Sequence, residues 1–120
     1  MMYGGPERRK HPRIAGRFIV SYRILGEENN VDLSQTRNLS LGGMLLTTNR
    51  NFQHGTHLAL EIRLPFDPDP IIIVAEVLES REITPRLIYD TRLMFIKVDD
   101  KHKKSIGQTV EYYLKKGSRA

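Results

Sequence analysis

Two short stretches carry residue types that can do chemistry. The first, Arg8-Arg9-Lys10-His11-Pro12-Arg13, packs three guanidinium groups into six residues. Guanidinium is always charged, planar and forked, so it meets phosphate oxygens, or the O6/N7 edge of guanine, with two parallel hydrogen bonds. Pro12 disfavours helix for the residue before it and donates no N–H, so the run predicts an irregular arm. The second stretch is Asn38-Leu39-Ser40-Leu41-Gly42-Gly43. An amide and a hydroxyl each offer donor and acceptor there, while Gly42 and Gly43 can take positive φ and let a ligand approach the backbone. Such a corner can read the edge of a base. Each stretch also has a plain alternative: a solvated basic tail for the first, and for the second a turn whose Asn and Ser satisfy local backbone groups.

Other candidates are weaker. His54-Gly55-Thr56-His57 lacks a spaced third metal ligand and reads as surface histidines. Asp67 and Asp69 lack the glycine and closing glutamate of a calcium loop and read as solvated turn acids. With no cysteine, disulfides, thiolate metal sites and cysteine nucleophiles are excluded, and no serine lies in a nucleophile-elbow pattern. Neither an enzyme nor a bound cofactor is expected. Asn38-Leu39-Ser40 fits the glycosylation acceptor pattern, which the expected lack of a secretory signal discounts.

The chain has 120 residues, enough for one ordinary core, and 39% hydrophobic with 28% charged residues is a globular rather than a disordered balance. No apolar run approaches the ~18 residues of a membrane helix, so a soluble, cytoplasmic protein is expected. The net charge of +5 favours an anionic partner without choosing among nucleic acid, nucleotide, headgroups and an acidic protein surface.

The elements that position these stretches follow from hydrophobic period. Residues 17–25 alternate, with Phe18, Val20, Tyr22 and Ile24 on one face. Residues 31–39 alternate Val31, Leu33, Gln35 and Arg37 against Asp32, Ser34, Thr36 and Asn38. Residues 44–48, 57–64, 71–79 and 87–98 complete six expected strands, with proline-containing connections at 65–70 and 81–86. After Val98 the period changes: Asp99 suits an N-cap, Ile106, Val110, Tyr113 and Leu114 recur at helical spacing, and Gly117 suits a C-cap. Short strands with short connections imply antiparallel pairing in a barrel or sandwich. The expected division is an N-terminal arm at 1–16, a β-structure at 17–98 and a helix at 99–117, in one domain.

The ordered pair of motifs, Arg9-x-x-x-Arg13 before the first strand and Asn38-x-Ser40-x-x-Gly43 after it, resembles the two-part signature of PilZ domains, bacterial receptors for cyclic di-GMP. The resemblance covers the chain from Glu7 to about Lys116. It implies an all-β fold with one C-terminal helix, a six-stranded antiparallel β-barrel, with the ligand held between the arm and the outer barrel surface. It further implies that Arg9 and Arg13 grip phosphates and guanine edges, and that Arg8 matches an extra arginine common before the motif. Asn38, Ser40 and Gly43, with Gly42 beside them, would contact a guanine and shape the pocket wall.

One position departs from the family: many relatives have a glycine about three residues before a phenylalanine in the last long strand, where this chain has Arg92-Leu93-Met94-Phe95. Arg92 reads as a solvated strand arginine or as an extra anion contact.

On this reading the protein is a cyclic di-GMP receptor whose arm reorders on binding and which signals to an effector protein. One rival is a single-stranded nucleic-acid binder, disfavoured because Phe18, Tyr22, Tyr89 and Phe95 occupy alternating positions expected to face inward rather than to stack bases. The other is a PilZ-like adaptor that needs no ligand, disfavoured by two intact motifs.

Overall fold

The computed structural model describes residues 11–117. Seven strands and one helix follow in order: β1 (Ile14–Ala15), β2 (Ile19–Ile24), β3 (Asp32–Leu39), β4 (Gly43–Thr48), β5 (His57–Ile62), β6 (Ile71–Thr84), β7 (Ile88–Val98) and α1 (Asp100–Lys115). The six longer strands run in the order β3-β2-β5-β6-β7-β4, every pairing antiparallel, and β4 returns to β3 to close the barrel. Closure gives each of the six longer strands a partner on both sides over part of its length, which suits a small sheet whose apolar side chains need one interior. The alternating residues Val20, Tyr22, Leu58, Leu60, Ile62, Ile71, Ile73 and Val77 fill that interior and are almost fully buried.

Alternation in β3 resolves against hydrophobicity. Leu33 is 75% exposed and Val31 is exposed too, whereas Thr36 is wholly buried. The Thr36 hydroxyl accepts the Phe18 N–H at 3.1 Å and donates to the Gly16 carbonyl at 2.6 Å. A buried hydroxyl is tolerable only with partners of this kind, and these two clamp residues 16–18 onto β3.

The segment at 81–86, expected as a connection, is mostly strand. β6 continues through Thr84, pairing Arg81 with Asp90, Glu82 with Tyr89 and Thr84 with Ile88. This end of the β6–β7 hairpin is largely solvent-exposed, so its residues need not alternate and the period signal vanishes. The turn shrinks to Pro85 and Arg86, closed by Leu87 N–H donating to the Thr84 carbonyl, with Arg86 at φ 61°.

Residues 14 and 15, counted with the arm from sequence, are strand: Ile14 pairs with Leu39 and Ala15 with Asn38, and Ile14 is fully buried. Helix α1 packs Ile106 and Val110 into the same core, and Tyr113 meets Phe18 edge-on at 5.5 Å. Asp99 is the N-cap residue, though without a side-chain cap hydrogen bond, and Gly117 at φ 81° follows the C-cap. Ser105 donates to Asp67 at 2.8 Å, tying the helix to the 65–70 connection.

Candidate functional site

The β1–β3 ladder brings the two motifs together. Because Ala15 lies opposite Asn38 and Ile14 opposite Leu39, Arg13 is carried to the end of β3, where the Ser40–Gly43 corner begins. An open cleft of about 190 Å³ there is lined by His11, Arg13, Asn38, Ser40, Gly42, Gly43 and Leu45, and on its far side by Leu78, Arg92 and Met94. A second cleft of about 440 Å³ adjoins it and shares Arg13, Leu45 and Arg92, adding Glu79, Arg81 and Asp90. Arg8 and Arg9, the other arginines expected to bind ligand, lie outside the described residues.

The corner is built by Ser40. Its hydroxyl accepts the backbone N–H groups of Gly42 and Gly43, each at 3.2 Å, and approaches the Gly43 carbonyl at 3.3 Å. The Ser40 N–H also donates to the Gly43 carbonyl at 2.9 Å. One side chain thus satisfies the N–H groups that the reversal leaves outside the ladder, and Ser40 is only 7% exposed. The Asn38 amide oxygen accepts the Leu45 N–H at 3.1 Å across a bulge in the β3–β4 pairing. The bulge leaves Arg37 as the extra residue on β3, and Arg37 reaches Asp90 at 3.2 Å.

The glycines act through proximity. Neither Gly42 nor Gly43 has positive φ, contrary to one of the two uses expected of them. A Cβ on Gly43 would collide with the Leu93 backbone carbonyl, and one on Gly42 would sit 3.0 Å from the His11 ring. Gly43 therefore lets β4 reach β7, and Gly42 makes room for the imidazole of His11 within the basic run. Leu41, at the tip of the corner, is exposed and passes near Gly107 of α1.

Sequence reasoning missed several cleft residues. His11 lies inside the basic run, where its neighbours predict arm rather than cleft wall. Leu45 and Leu78 look like ordinary strand residues, and Leu78 enters the cleft because β6 bulges between Val77 and Glu79, a feature with no signature in one sequence. Thr36, which lines neither cleft, is buried although polar, and its partners Phe18 and Gly16 are set by the fold. Phe18 and Tyr22 are buried, whereas Tyr89 and Phe95, also expected inward, are only partly so.

Among the described residues no group of three or more His, Asp or Glu side chains could hold a metal ion. None of their helices is long and apolar enough to cross a membrane. His54 hydrogen-bonds through Nδ1 to the Leu78 carbonyl at 2.9 Å, and His57 lies 3.6 Å from Glu76.

Comparison with solved structures finds the same architecture at low identity. The inhibitor of motility (MotI/DgrA) of Bacillus subtilis superposes with a TM-score of 0.73 at 19% identity, over 92% of this chain and 51% of that one. The PilZ domain of Escherichia coli YcgR, solved with c-di-GMP, gives 0.67 at 15% identity, covering 92% of this chain and 94% of that one. The MrkH–c-di-GMP complex of K. pneumonia gives 0.69 at 18% identity, over 92% and 54%. The chain thus spans about half the length of MotI and MrkH, and a search of curated proteins finds no match. The model of the PilZ domain family matches residues 7–112, and with its closed six-stranded antiparallel barrel and single C-terminal helix the chain belongs to that family.

Proposed function

We propose that the protein is a receptor for cyclic di-GMP and that it regulates rather than catalyses. The observation that carries this reading is the convergence of Arg13 with Asn38, Ser40, Gly42 and Gly43 on one cleft through the β1–β3 ladder. A guanidinium beside an amide and a corner whose glycines let a ligand approach the backbone offers an anionic purine ligand both a phosphate contact and an edge to read. Membership of the PilZ family and the likeness to domains solved with c-di-GMP support the choice of ligand.

Arg8 and Arg9 complete the clasp in this proposal. Engagement of their segment by the ligand changes the surface shown to an effector protein, which is how a small receptor without a catalytic centre transmits its state. Burial of Phe18 and Tyr22 removes two of the aromatic rings that a single-strand binder would use for stacking, which favours the dinucleotide over nucleic acid.

Calorimetry with cyclic di-GMP, GTP and cyclic di-AMP tests the reading. Binding of the first in preference to the other two is expected. Loss of one forked arginine contact costs about 1–3 kcal/mol, so Arg9→Ala and Arg13→Ala should each weaken binding about tenfold to a hundredfold. Full affinity in both variants would defeat the assignment.

A further inference from the structure

We infer that Arg92 is a ligand-binding residue of this site, contacting a phosphate of the bound nucleotide after leaving Glu79; the inference rests on the receptor reading above. Its basis is a continuous row across the outer barrel face. Ala15 pairs with Asn38, Leu45 with Asn38 and with Arg92, and Glu79 with Arg92. Residues directly opposite in antiparallel strands share a face, so the row runs from the β1 backbone beside Arg13 to Glu79. Asn38 and Arg92 are two strand spacings apart, about 10 Å, a span that a nucleotide can bridge with its base at one end and its phosphate at the other. Arg92 also lines both clefts, as does Arg13, whereas Arg81 lines only the outer one.

The present partner of Arg92 is easily exchanged. Its Nη1 lies 3.9 Å from Glu79 Oε1, and both side chains are half exposed. Exposed pairs at this separation hold little energy against water, while a phosphodiester in the cleft offers the same guanidinium a closer anion with two acceptor oxygens for its fork. The nearby Asp90 is 3.2 Å from Arg37 and mostly buried, so Glu79 is the carboxylate that competes. The bulge opposite Arg92 sets this competition, because it lets Leu78 wall the inner cleft while Glu79 borders the outer one.

Calorimetric titration of cyclic di-GMP into the wild type, R92A, R92K and E79Q tests the assignment, with thermal melting of each to confirm the fold. R92A should bind about tenfold or more weakly, the size of a charge-assisted hydrogen bond. R92K should recover most of the affinity, since a phosphate accepts a point charge where a guanine edge requires the fork. E79Q should bind about two- to fivefold more tightly, because the competing ion pair is gone. Wild-type affinity in R92A would overturn the role of Arg92 and leave the receptor reading intact, and R92K as weak as R92A would overturn the phosphate contact. A wild type that does not bind cyclic di-GMP would overturn both.

Discussion

Ala15 stands opposite Asn38 in a two-residue ladder, and this pairing joins the basic run to the polar corner. The short strand is held from below, since Ile14 is fully buried and the Thr36 hydroxyl clamps residues 16–18 just beyond it. Arg13 therefore reaches the cleft from an anchored stem.

Shortening that stem's anchor should separate folding from binding. Ile14→Ala removes a buried side chain at a cost of about 2–5 kcal/mol, read as a lower urea midpoint. Where the variant remains folded, its affinity for cyclic di-GMP should also fall although residue 14 lines neither cleft. An unchanged affinity in the folded variant would show that Arg13 does not depend on β1.

The two glycines of the corner should respond differently to a methyl group. Gly43→Ala drives a Cβ into the Leu93 carbonyl and should destabilise the barrel by about 1–3 kcal/mol. Gly42→Ala meets only the His11 ring, a side chain able to shift, so its melting temperature should stay near that of the wild type. Equal losses in the two variants would contradict the close β4–β7 approach.

Ser40→Ala leaves the Gly42 and Gly43 N–H groups without their shared acceptor. A loss of about 1–3 kcal/mol in chemical denaturation is expected, together with weaker ligand binding. Ser40→Thr, which keeps the hydroxyl, should retain more of both.

Asp67, which lines neither cleft, gives a pH-dependent signature. Hydrogen bonds from the Asp69 backbone N–H, at 3.0 Å, and then from the Ser105 hydroxyl hold its carboxyl below the usual Asp value. A carboxyl lowered in the folded state stabilises above its unfolded value near 4 and loses that contribution as pH falls through the lower folded value. Thermal melts should show the wild type ahead of Asp67→Asn at pH 7, with the gap closing as the pH drops below about 4. A gap independent of pH would mean that the charge plays no part.

Much of this architecture was legible in the chain, and the parts that were not share a cause. Phe18, Val20 and Tyr22, Leu58 through Ile62, and Ile106 with Val110 declare their elements, because burial on one face of a strand or helix imposes a period on residue type. Where burial stops, as along Arg81, Glu82 and Ile83, that constraint lapses and strand resembles loop. Leu33 and Thr36 show the converse limit: the alternation was visible, but which face turned inward depended on Thr36 finding Gly16 and Phe18 across the fold. For the site, the order of residues already names the chemical groups: arginines ahead of the first strand and an Asn-Ser-Gly run after it. That Arg13 meets that corner, that Ser40 builds the turn and that Arg92 joins the row beyond Leu45 emerges only in the folded barrel. Those relations are set by strand register and by bulges, which arise from pairing between distant segments and leave no local mark on residue order.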